Sequence, residues 1–390
     1  MTEFIKVEDF ANVITGGTPA TSKMEYWQGG EIPWLNSGEL NQDIVTRSSN
    51  FITTEGLKNS AARLMPPDTV LIALTGATTG KIGFLTFEAC ANQSVTGILP
   101  SKRHFPKFLY YYLNSIRDRV LNDAYGGAQP HISQGYVKNL KIPLPPLDSQ
   151  KRIATILDKA DELRQNDKRI LEKYEQLVQS VFLDMFGDPV NNPKGWKVMT
   201  GNQYCDSISV GVVVRPASYY VKIGVPALRS MNIRPNRIQL KDLVYFSAED
   251  NKNILSKSII KENDVLIVRT GQPGTAAVVP RSLDGSNCID LIITRPNKTI
   301  LNSFYFSHFF NTSGGKQLVL GSQRGQIQKH FNIGEVRKSK IPVPPLNLQN
   351  KFALIIKQIE KQKDLTEKSS IKSEELFQSL IQRAFKGELI

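Results

Sequence analysis

The sequence predicts an α+β protein built from two tandem copies of one domain, each followed by a long helix. The motif IPLPPL at residues 142–147 recurs as IPVPPL at residues 341–346, about half a chain length later. A long run with helical periodicity follows each copy. Such a pseudo-two-fold internal repeat is a stronger guide to the architecture than any single local motif. The predicted ranges are a first domain at 1–147, a central helix at 148–187, a second domain at 188–346 and a C-terminal helix at 347–390.

The repeated motif has the character of a strand that leaves a folded domain and leads into a helix. Proline fixes φ, removes a hydrogen-bond donor and keeps the preceding residue out of the helical region. Asp148 in the first copy and Asn347 in the second supply side-chain oxygens that can cap a helix. Gly187, with Pro189 just beyond it, is typical of a helix end. We therefore expect a helix directly after each motif.

Apolar residues on both helices recur at alternating steps of three and four, which is a heptad seam. Because so narrow a seam is not stable alone in water, we expect the two helices to pair as an antiparallel coiled coil. The alternative is that each helix packs on its own domain. The residues predicted to form the helix pair are Ile153, Ile156, Leu163, Ile170, Leu177 and Val181 in the first helix and Phe352, Ile355, Ile359, Leu376 and Leu380 in the second.

The segments that precede the two motifs correspond in order but differ in their loops. Residues 32–37 match residues 225–230, and residues 68–76 match residues 264–271 with one residue fewer. The predicted strands align well, while the loops between them differ. This is the pattern of one scaffold that presents two different recognition surfaces.

The composition favours a globular protein with a polyanionic partner. A chain of 390 residues exceeds what one core usually supports, and its hydrophobic fraction of 40% is ordinary. The net charge of +13 favours nucleic acid as the partner. Cys90, Cys205 and Cys288 are scattered, which argues against zinc or disulfides and favours the cytoplasm. Neither a signal peptide nor a membrane span is predicted.

Catalytic and metal-binding motifs are mostly absent, which leaves recognition as the function to consider. Residues 76–82 resemble a phosphate-binding loop, but three residues separate the glycines instead of four, and Ile82 replaces the Ser or Thr that ligates magnesium. No amino-methyltransferase motif is found, and residues 250–252 lack the upstream Pro-Asp of a metal nuclease. The chain has four histidines, and none of them is separated from a carboxylate by the sequence spacing typical of metal ligands. They are His104, His131, His308 and His330.

The loops of both domains contain the residue types that bind DNA. Arg and Lys read guanine edges, Asn and Gln read adenine, and phosphates are held by cations, hydroxyls and backbone N–H groups. Two matching loop sets of this kind on a basic scaffold indicate nucleic-acid recognition. The candidate DNA-binding residues are Lys23, Tyr26, Arg47, Thr78, Thr79, Lys81, Gln129, His131 and Ser133 in the first domain and Arg215, Arg229, Arg234, Arg269, Gln272, Gln323, Arg324, Gln326 and Lys329 in the second.

Two further segments are distinctive, GAQPHIS at residues 127–133 and the junction FGDP at 186–189 followed by NPKGW at 192–196. Together with the two proline motifs and the heptad helix after each, they make the chain resemble the DNA-specificity subunit of type I restriction–modification systems. The resemblance covers essentially the whole chain. The second domain departs from the pattern, because residues 325–330 read GQIQKH without the proline.

This resemblance implies two target-recognition domains joined by two long antiparallel helices, with no catalytic activity in the chain itself. The implied partners are double-stranded DNA, two methyltransferase subunits and restriction subunits. S-adenosylmethionine, ATP and Mg²⁺ would be bound by those subunits and not by this chain. Each domain would read one half of a bipartite site, and the helices would set the spacing between the halves. A second hypothesis is that residues 1–190 alone dimerise into a reader of a palindrome.

Two other classes of function remain open. One is a DNA- or RNA-binding adaptor outside restriction–modification, which would purify without methyltransferase subunits. The other is a stand-alone nuclease, which a metal-dependent cleavage assay would detect.

Overall fold

A computed structural model describes residues 3–126, 130–321 and 331–389 of the chain. The chain divides into two compact units, Met1–Lys168 together with Lys368–Ile390, and Arg169–Glu367. Each of the two long helices, α6 (Leu147–Phe186) and α12 (Leu346–Phe385), contributes one segment to each unit. Both helices begin one residue before the positions proposed as their caps, so Asp148 and Asn347 lie in the first helical turn.

The first unit contains one five-stranded, one three-stranded and one two-stranded sheet. Its strands are β1 (Phe4–Lys6), β2 (Val13–Thr15), β3 (Ile32–Leu35), β4 (Ile44–Val45), β5 (Asn50–Ile52), β6 (Val70–Ala73), β7 (Ile82–Leu85), β8 (Cys90–Ala91), β9 (Val95–Ile98) and β10 (Lys141–Pro143). Its shorter helices are α1 (Val7–Phe10), α2 (Thr54–Lys58), α3 (Pro106–Ser115), α4 (Arg117–Asn122) and α5 (Gln134–Asn139). The sheet orders are β2-β9-β6-β7-β4, β5-β3-β8 and β1-β10.

Most strands of the second unit correspond to strands of the first. The strands of the second unit are β11 (Lys197–Thr200), β12 (Cys205–Val210), β13 (Tyr220–Val221), β14 (Val225–Leu228), β15 (Ile233–Arg234), β16 (Arg237–Ile238), β17 (Val244–Phe246), β18 (Val265–Val268), β19 (Ala276–Val278), β20 (Asn287–Cys288), β21 (Leu291–Pro296) and β22 (Lys340–Val343). The shorter helices are α7 (Gly201–Tyr204), α8 (Ala248–Lys252), α9 (Ser303–Asn311), α10 (Ser313–Leu320) and α11 (Ile333–Lys338). The sheet orders are β12-β21-β18-β19, β13-β17-β14-β20, β11-β22 and β15-β16.

The two units share the strand order β2-β9-β6-β7 and β12-β21-β18-β19 in their main sheets, together with the direction of individual strand pairs, whereas β4 extends only the first main sheet and β13 only the smaller sheet of the second unit. In the first unit β3 pairs in parallel with β8 and antiparallel with β5. In the second, β14 pairs in parallel with β20 and antiparallel with β17. The proline motifs supply β10 and β22, each of which closes a two-stranded sheet with the first strand of its unit. The duplication predicted from the sequence is therefore a duplication of fold.

One aromatic helix in each unit packs between the main sheet and the long helices. All residues of α3 from Phe108 to Leu113 are buried, and so are Tyr305 to Phe310 of α9. A helix that is apolar on all sides is stable only when other elements cover it on all sides. In the first unit the ring of Phe108 contacts Phe385 of α12, and in the second Tyr305 contacts Phe186 of α6.

Within each unit, segments of α6 and α12 run antiparallel against each other. In the first unit Arg164 forms an ion pair with Glu374 at 3.3 Å, and the hydroxyl of Ser373 donates to Asp167 at 2.8 Å. In the second unit Lys363 lies 3.3 Å from Glu175, and the ring of Phe182 contacts Phe352. This confirms the antiparallel helix pair. The same segments also pack on a domain, so the two alternatives that the sequence left open are both realised.

The structure corrects the predicted seam at several positions. Of the eleven residues, Ile153, Phe352 and Ile359 are buried, and Ile156, Val181, Ile355 and Leu380 are partly buried. Exposure of 41–54% places four residues outside the seam, namely Leu163, Ile170, Leu177 and Leu376. The buried face of α6 instead includes Ala154, Leu157 and Ala160. The heptad template assumes one partner helix, whereas each segment here contacts both a helix and a domain, which widens and rotates its buried face.

Candidate nucleic-acid interface

The loop that follows β6, residues 74–81, is called here the first glycine loop, and it is held against residues 130–132 of the same unit. A hydrogen bond of 2.9 Å from Gly80 N to Ala73 O closes its base. The hydroxyl of Thr79 donates to Pro130 O at 2.7 Å, and Ile132 N donates to Leu74 O at 2.9 Å. The loop is therefore fixed in place by contacts to the backbone of residues 130–132.

The second unit repeats this arrangement after β18. The second glycine loop, residues 269–275, is closed by a hydrogen bond from Gly274 N to Val268 O of 3.0 Å. Phe331 N donates to Arg269 O at 3.3 Å, as Ile132 does to Leu74 in the first unit. The two loops thus occupy the same place in the two units, with one residue fewer in the second.

The tips of both loops are glycines with space around them. Gly76 has a φ of +76° and Gly271 a φ of +82°, which are left-handed conformations that other residues rarely adopt. A Cβ added at either position would meet no described atom within 4 Å. The backbone of another molecule can therefore approach each tip closely, as phosphate-binding loops require.

Several predicted residues of the first unit lie in or beside the first glycine loop. Thr78 is half-buried in the loop, and His131 lies on the neighbouring loop, where its ring contacts Tyr125 with centroids 5.0 Å apart. Ser133 accepts a hydrogen bond from Tyr136 N and so caps α5. Lys81 ends the loop, and its ammonium group forms an ion pair with Asp43 at 3.0 Å.

Two predicted residues hold the structure together and are too buried to serve as free ligands. Thr79 is 2% exposed, and its hydroxyl donates hydrogen bonds to two carbonyl oxygens, Gly76 O and Pro130 O. Tyr26 is 6% exposed, and its hydroxyl accepts a hydrogen bond from Lys23 at 2.9 Å, which raises the pKa of Lys23. Lys23 is itself exposed, as is Arg47 after β4.

The predicted arginines of the second unit occupy different environments. Arg215 is exposed with a positive φ in the turn after β12, and Gln272 is exposed in the second glycine loop. Arg229 donates to Asp242 O at 2.5 Å. Arg234 lines a cavity of about 440 Å³ together with residues of the long helices. Arg269 begins the second glycine loop and forms an ion pair of 2.5 Å with Asp290.

Five candidate residues fall outside the described parts of the chain, so their surroundings stay unspecified. They are Gln129, Gln323, Arg324, Gln326 and Lys329.

Sequence inspection missed the acidic and hydroxyl partners that organise the glycine loops. Ser94 accepts a hydrogen bond of 2.8 Å from Thr75, and Asp290 contacts both Arg269 and Thr270. Each lies just before a strand, Ser94 before β9 and Asp290 before β21. When the two repeats are aligned, Ser94 and Asp290 fall at equivalent positions, so this alignment could have identified both residues from the sequence.

Neither a metal-binding cluster nor a membrane-spanning helix occurs in the part of the chain that the structure describes. Across residues 3–126, 130–321 and 331–389, no cluster of three or more His, Cys, Asp or Glu side chains could hold a metal ion. None of the helices in those same ranges is long and apolar enough to cross a bilayer.

A duplicated α+β fold that presents one glycine loop per unit, on a strongly basic chain, defines the class of two-domain nucleic-acid readers. The family-level match is more specific: the model for the type I restriction modification DNA specificity domain covers residues 2–176 and 193–374, so the chain belongs to this family. The result confirms the family and the fold class predicted from the sequence.

Individual relatives agree with this placement. The MjaIX specificity subunit of a type I restriction enzyme from Methanocaldococcus jannaschii is 24% identical over 98% of this chain and 92% of its own length. The EcoR124I/EcoR124II specificity subunit from Escherichia coli is 30% identical over 38% of each chain. The crystal structure of the type I S subunit from M. genitalium has the same fold, with a TM-score of 0.61 at 16% identity over 99% of this chain and 96% of that one.

Proposed function

We propose that this chain is the specificity subunit of a type I restriction–modification complex and that it reads a bipartite site in double-stranded DNA. Each unit docks on one half of the site. The observation that carries the proposal is the matched pair of glycine loops, which share their backbone contacts and differ in their side chains. Because the two loops differ, the two half-sites differ, and the site as a whole is not a palindrome.

Two kinds of contact with DNA are proposed: the DNA backbone approaches the loop tips closely, and exposed cations bind its phosphates. Gly76 and Gly271 leave room for phosphate, and exposed Lys23, Arg47 and Arg215 supply charge. Tyr26 and Thr79 act indirectly by holding their loops. This division of roles predicts that loss of an exposed cation weakens binding to all sequences about equally.

The long helices set the distance between the two half-sites. In support, α6 and α12 are each continuous over 40 residues, and both enter both units. A DNA spacer of the wrong length would displace one half-site from the unit that reads it.

All chemistry is carried out by partner subunits. Two methyltransferase subunits bind the chain, since an internally duplicated protein presents two similar surfaces, and restriction subunits join them in the cytoplasm. S-adenosylmethionine, ATP and Mg²⁺ are bound by those partners. Within the second unit, Ile170 and Leu177 are exposed apolar residues one heptad apart on α6, and such residues suit docking of a partner.

Methylation mapping tests the proposal. The full chain is co-expressed with a type I methyltransferase subunit in a host without modification activity, and methylated positions are located by single-molecule sequencing. We expect one motif with two unlike halves around a fixed spacer, and none when the chain is omitted. Absence of methylation with every methyltransferase that binds the chain, or a palindromic motif, contradicts the proposal.

A related proposal is that residues 1–190 alone form a symmetric dimer that reads a palindrome. The first unit contains the α12 segment from Lys368 onward, which the fragment lacks. The corresponding α6 segment of a second copy, from Arg169 onward, could take its place, because the two segments are repeats of each other. Size-exclusion chromatography with light scattering should show a dimer, and a monomer at all concentrations contradicts this idea.

A further inference from the structure

The start of the second glycine loop is tied to a carboxylate that the first loop lacks. Asp290 accepts a hydrogen bond of 2.5 Å from Arg269 Nη1, and the hydroxyl of Thr270 lies 3.4 Å from its other oxygen. The guanidinium is held from a second direction as well, because Arg269 Nε donates to Phe331 O at 3.2 Å. The side chain of Arg269 is 19% exposed and that of Asp290 is 38% exposed.

This arrangement makes Arg269 a poor general ligand for phosphate and a good reader of one base. A guanidinium carries five N–H donors in a rigid fork. Two of them are used by Asp290 and Phe331, which fixes the direction of the donors that remain. Guanine presents O6 and N7 as a pair of acceptors in the major groove, and a fixed pair of N–H groups matches that pair. A mobile arginine would instead bind any phosphate within reach.

The first unit has unrelated chemistry at the same two positions. Leu74 begins the first glycine loop where Arg269 begins the second, and the carbonyl oxygen of each accepts a hydrogen bond from the backbone N–H of the neighbouring loop. Ser94 corresponds to Asp290, and it pairs with the hydroxyl of Thr75. An ion pair in one unit therefore replaces an apolar residue and a hydroxyl in the other, on the same backbone.

We propose that Arg269 and Asp290 form the pair that determines which base the second domain reads at its glycine loop, with Arg269 contacting a guanine edge and Asp290 acting as its positioning residue. This inference rests on the proposed function. It goes beyond it by assigning specificity at one base position to two named side chains. Leu74 and Ser94 occupy the corresponding positions in the first domain, where Leu74 is buried and cannot contact a base as Arg269 does.

The first experiment isolates the carboxylate of Asp290. Asp290→Asn removes the charge and keeps a side chain that tolerates the positive φ of 51° at this position. Asp242→Asn is the matched control, because it has a positive φ of 55°, lies in the same unit and changes net charge equally. No salt bridge among the described residues involves Asp242 (its carbonyl oxygen contacts Arg229).

Binding of the purified full-length variants to a short mixed-sequence duplex is measured by anisotropy across a salt series. Release of Arg269 should add one phosphate contact, so log K should fall with log salt more steeply by about one for Asp290→Asn than for Asp242→Asn. Equal slopes for the two variants overturn the inference. A wild-type chain that binds no duplex even at low salt contradicts the proposed function itself.

The second experiment exchanges the pair as a unit and does not depend on one variant folding. Arg269→Leu with Asp290→Ser installs the first domain's residues, and methylation mapping reads the result. One position of the second half-site should lose its discrimination for guanine by roughly tenfold or more, while the first half-site is unchanged. Arg269→Lys should lose the same discrimination and retain the salt slope, since lysine keeps the charge but not the fork. An unchanged second half-site in both variants overturns the inference and leaves the proposed function intact.

Discussion

Two buried glutamines make the same contacts in the two units, while the side chains around them have diverged. In the first unit Gln150 accepts a hydrogen bond from Phe105 N at 2.7 Å and donates to Pro145 O at 2.7 Å. In the second, Gln349 accepts from Asn302 N at 2.8 Å and donates to Pro344 O at 2.7 Å. Each glutamine thereby fastens the start of a long helix to the chain that enters the aromatic helix.

The residues six positions after Phe105 and Asn302 are Tyr111 and His308, and their side chains make different contacts in the two units. Tyr111 of α3 donates to Asp158 of α6 at 2.6 Å, and Lys107 forms an ion pair with the same carboxylate. His308 of α9 occupies the corresponding place, where its Nδ1 contacts Phe304 O at 2.7 Å and its ring lies against Phe352. Its Nε2 atom is buried and has no hydrogen-bond partner among the described residues.

The comparison shows which contacts the duplication has retained. The contacts from the two glutamine side chains to the backbone persist, because every residue supplies the same backbone groups whatever its side chain. The contacts made by Tyr111 and Lys107 with Asp158 have been replaced, because a change in either side chain removes them. The glycine loops follow the same rule, with shared backbone pairing and different side chains.

The largest expected effect comes from breaking the retained contacts. Gln150→Ala and Gln349→Ala should each lower the free energy of unfolding of their own unit by about 3 kcal/mol, because each leaves several buried polar groups unpaired. Denaturant unfolding followed by hydrogen exchange assigns the loss to one unit. Gln358→Ala, at an exposed position of α12, should change little. A loss below about 1 kcal/mol for either buried glutamine contradicts the equivalence of the two contacts.

A smaller effect concerns two buried histidines, His104 in the first unit and His308 in the second. Burial lowers the pKa of His104 and of His308 to about 4, from an ordinary value of 6.5. The unfolded chain therefore binds more protons between these values. The stability that each neutral histidine contributes is complete above pH 6.5 and declines as the pH falls towards 4. By pH 5 the expected loss is about 2 kcal/mol per histidine.

Phenylalanine replacements separate the two contributions. His308→Phe should flatten the acid dependence of the second unit only, and His104→Phe that of the first only. Hydrogen exchange at pH 7.5 and pH 5 measures both units in one sample. An acid dependence that persists in the second unit of His308→Phe would count against burial as its cause.

The smallest effects should distinguish two ion pairs between helices and their surroundings. Arg164 is 18% exposed, contacts Asp161 and Glu374, and lies over the ring of Phe377 at 4.3 Å. Arg237 is 50% exposed and contacts Glu367 at 2.6 Å. Arg164→Ala should cost about 1–2 kcal/mol and Arg237→Ala less than about 1 kcal/mol, since solvent screens the exposed pair. Thermal unfolding at low and high salt measures both, and an equal loss in the two variants contradicts the distinction.

The sequence was sufficient for features that depend on local pattern or on the repeat itself. The proline motifs, the two long helices and the correspondence of the glycine loops all follow from neighbouring residues or from matching segments. The partners of the loops were not predictable in this way. Asp290 and Phe331 are distant in sequence from Arg269, and residue type alone could not distinguish the buried Thr79, whose hydroxyl holds two carbonyl groups, from the half-buried Thr78.

The helix seam shows why pattern reading fails at a particular kind of position. Leu163 fits the heptad as well as Ile153 does, yet Leu163 is exposed and Ile153 is buried. The difference arises because the domain covers α6 near Ile153, together with Ala154 and Leu157, and this contact has no heptad signature. Exposed apolar positions left over from a heptad are therefore better candidates for partner binding than for helix pairing.

The most direct test of the account lengthens both helices together and reads the spacer. One heptad is inserted between Lys168 and Arg169 and another between Glu367 and Lys368, where the units divide, so that the antiparallel register is kept. Seven residues add about 10 Å of helix, which corresponds to about 3 base pairs. Methylation mapping should show both half-sites unchanged and the spacer longer by about that number. An unchanged spacer with altered half-sites would contradict the claim that the helix pair sets the distance between two different readers.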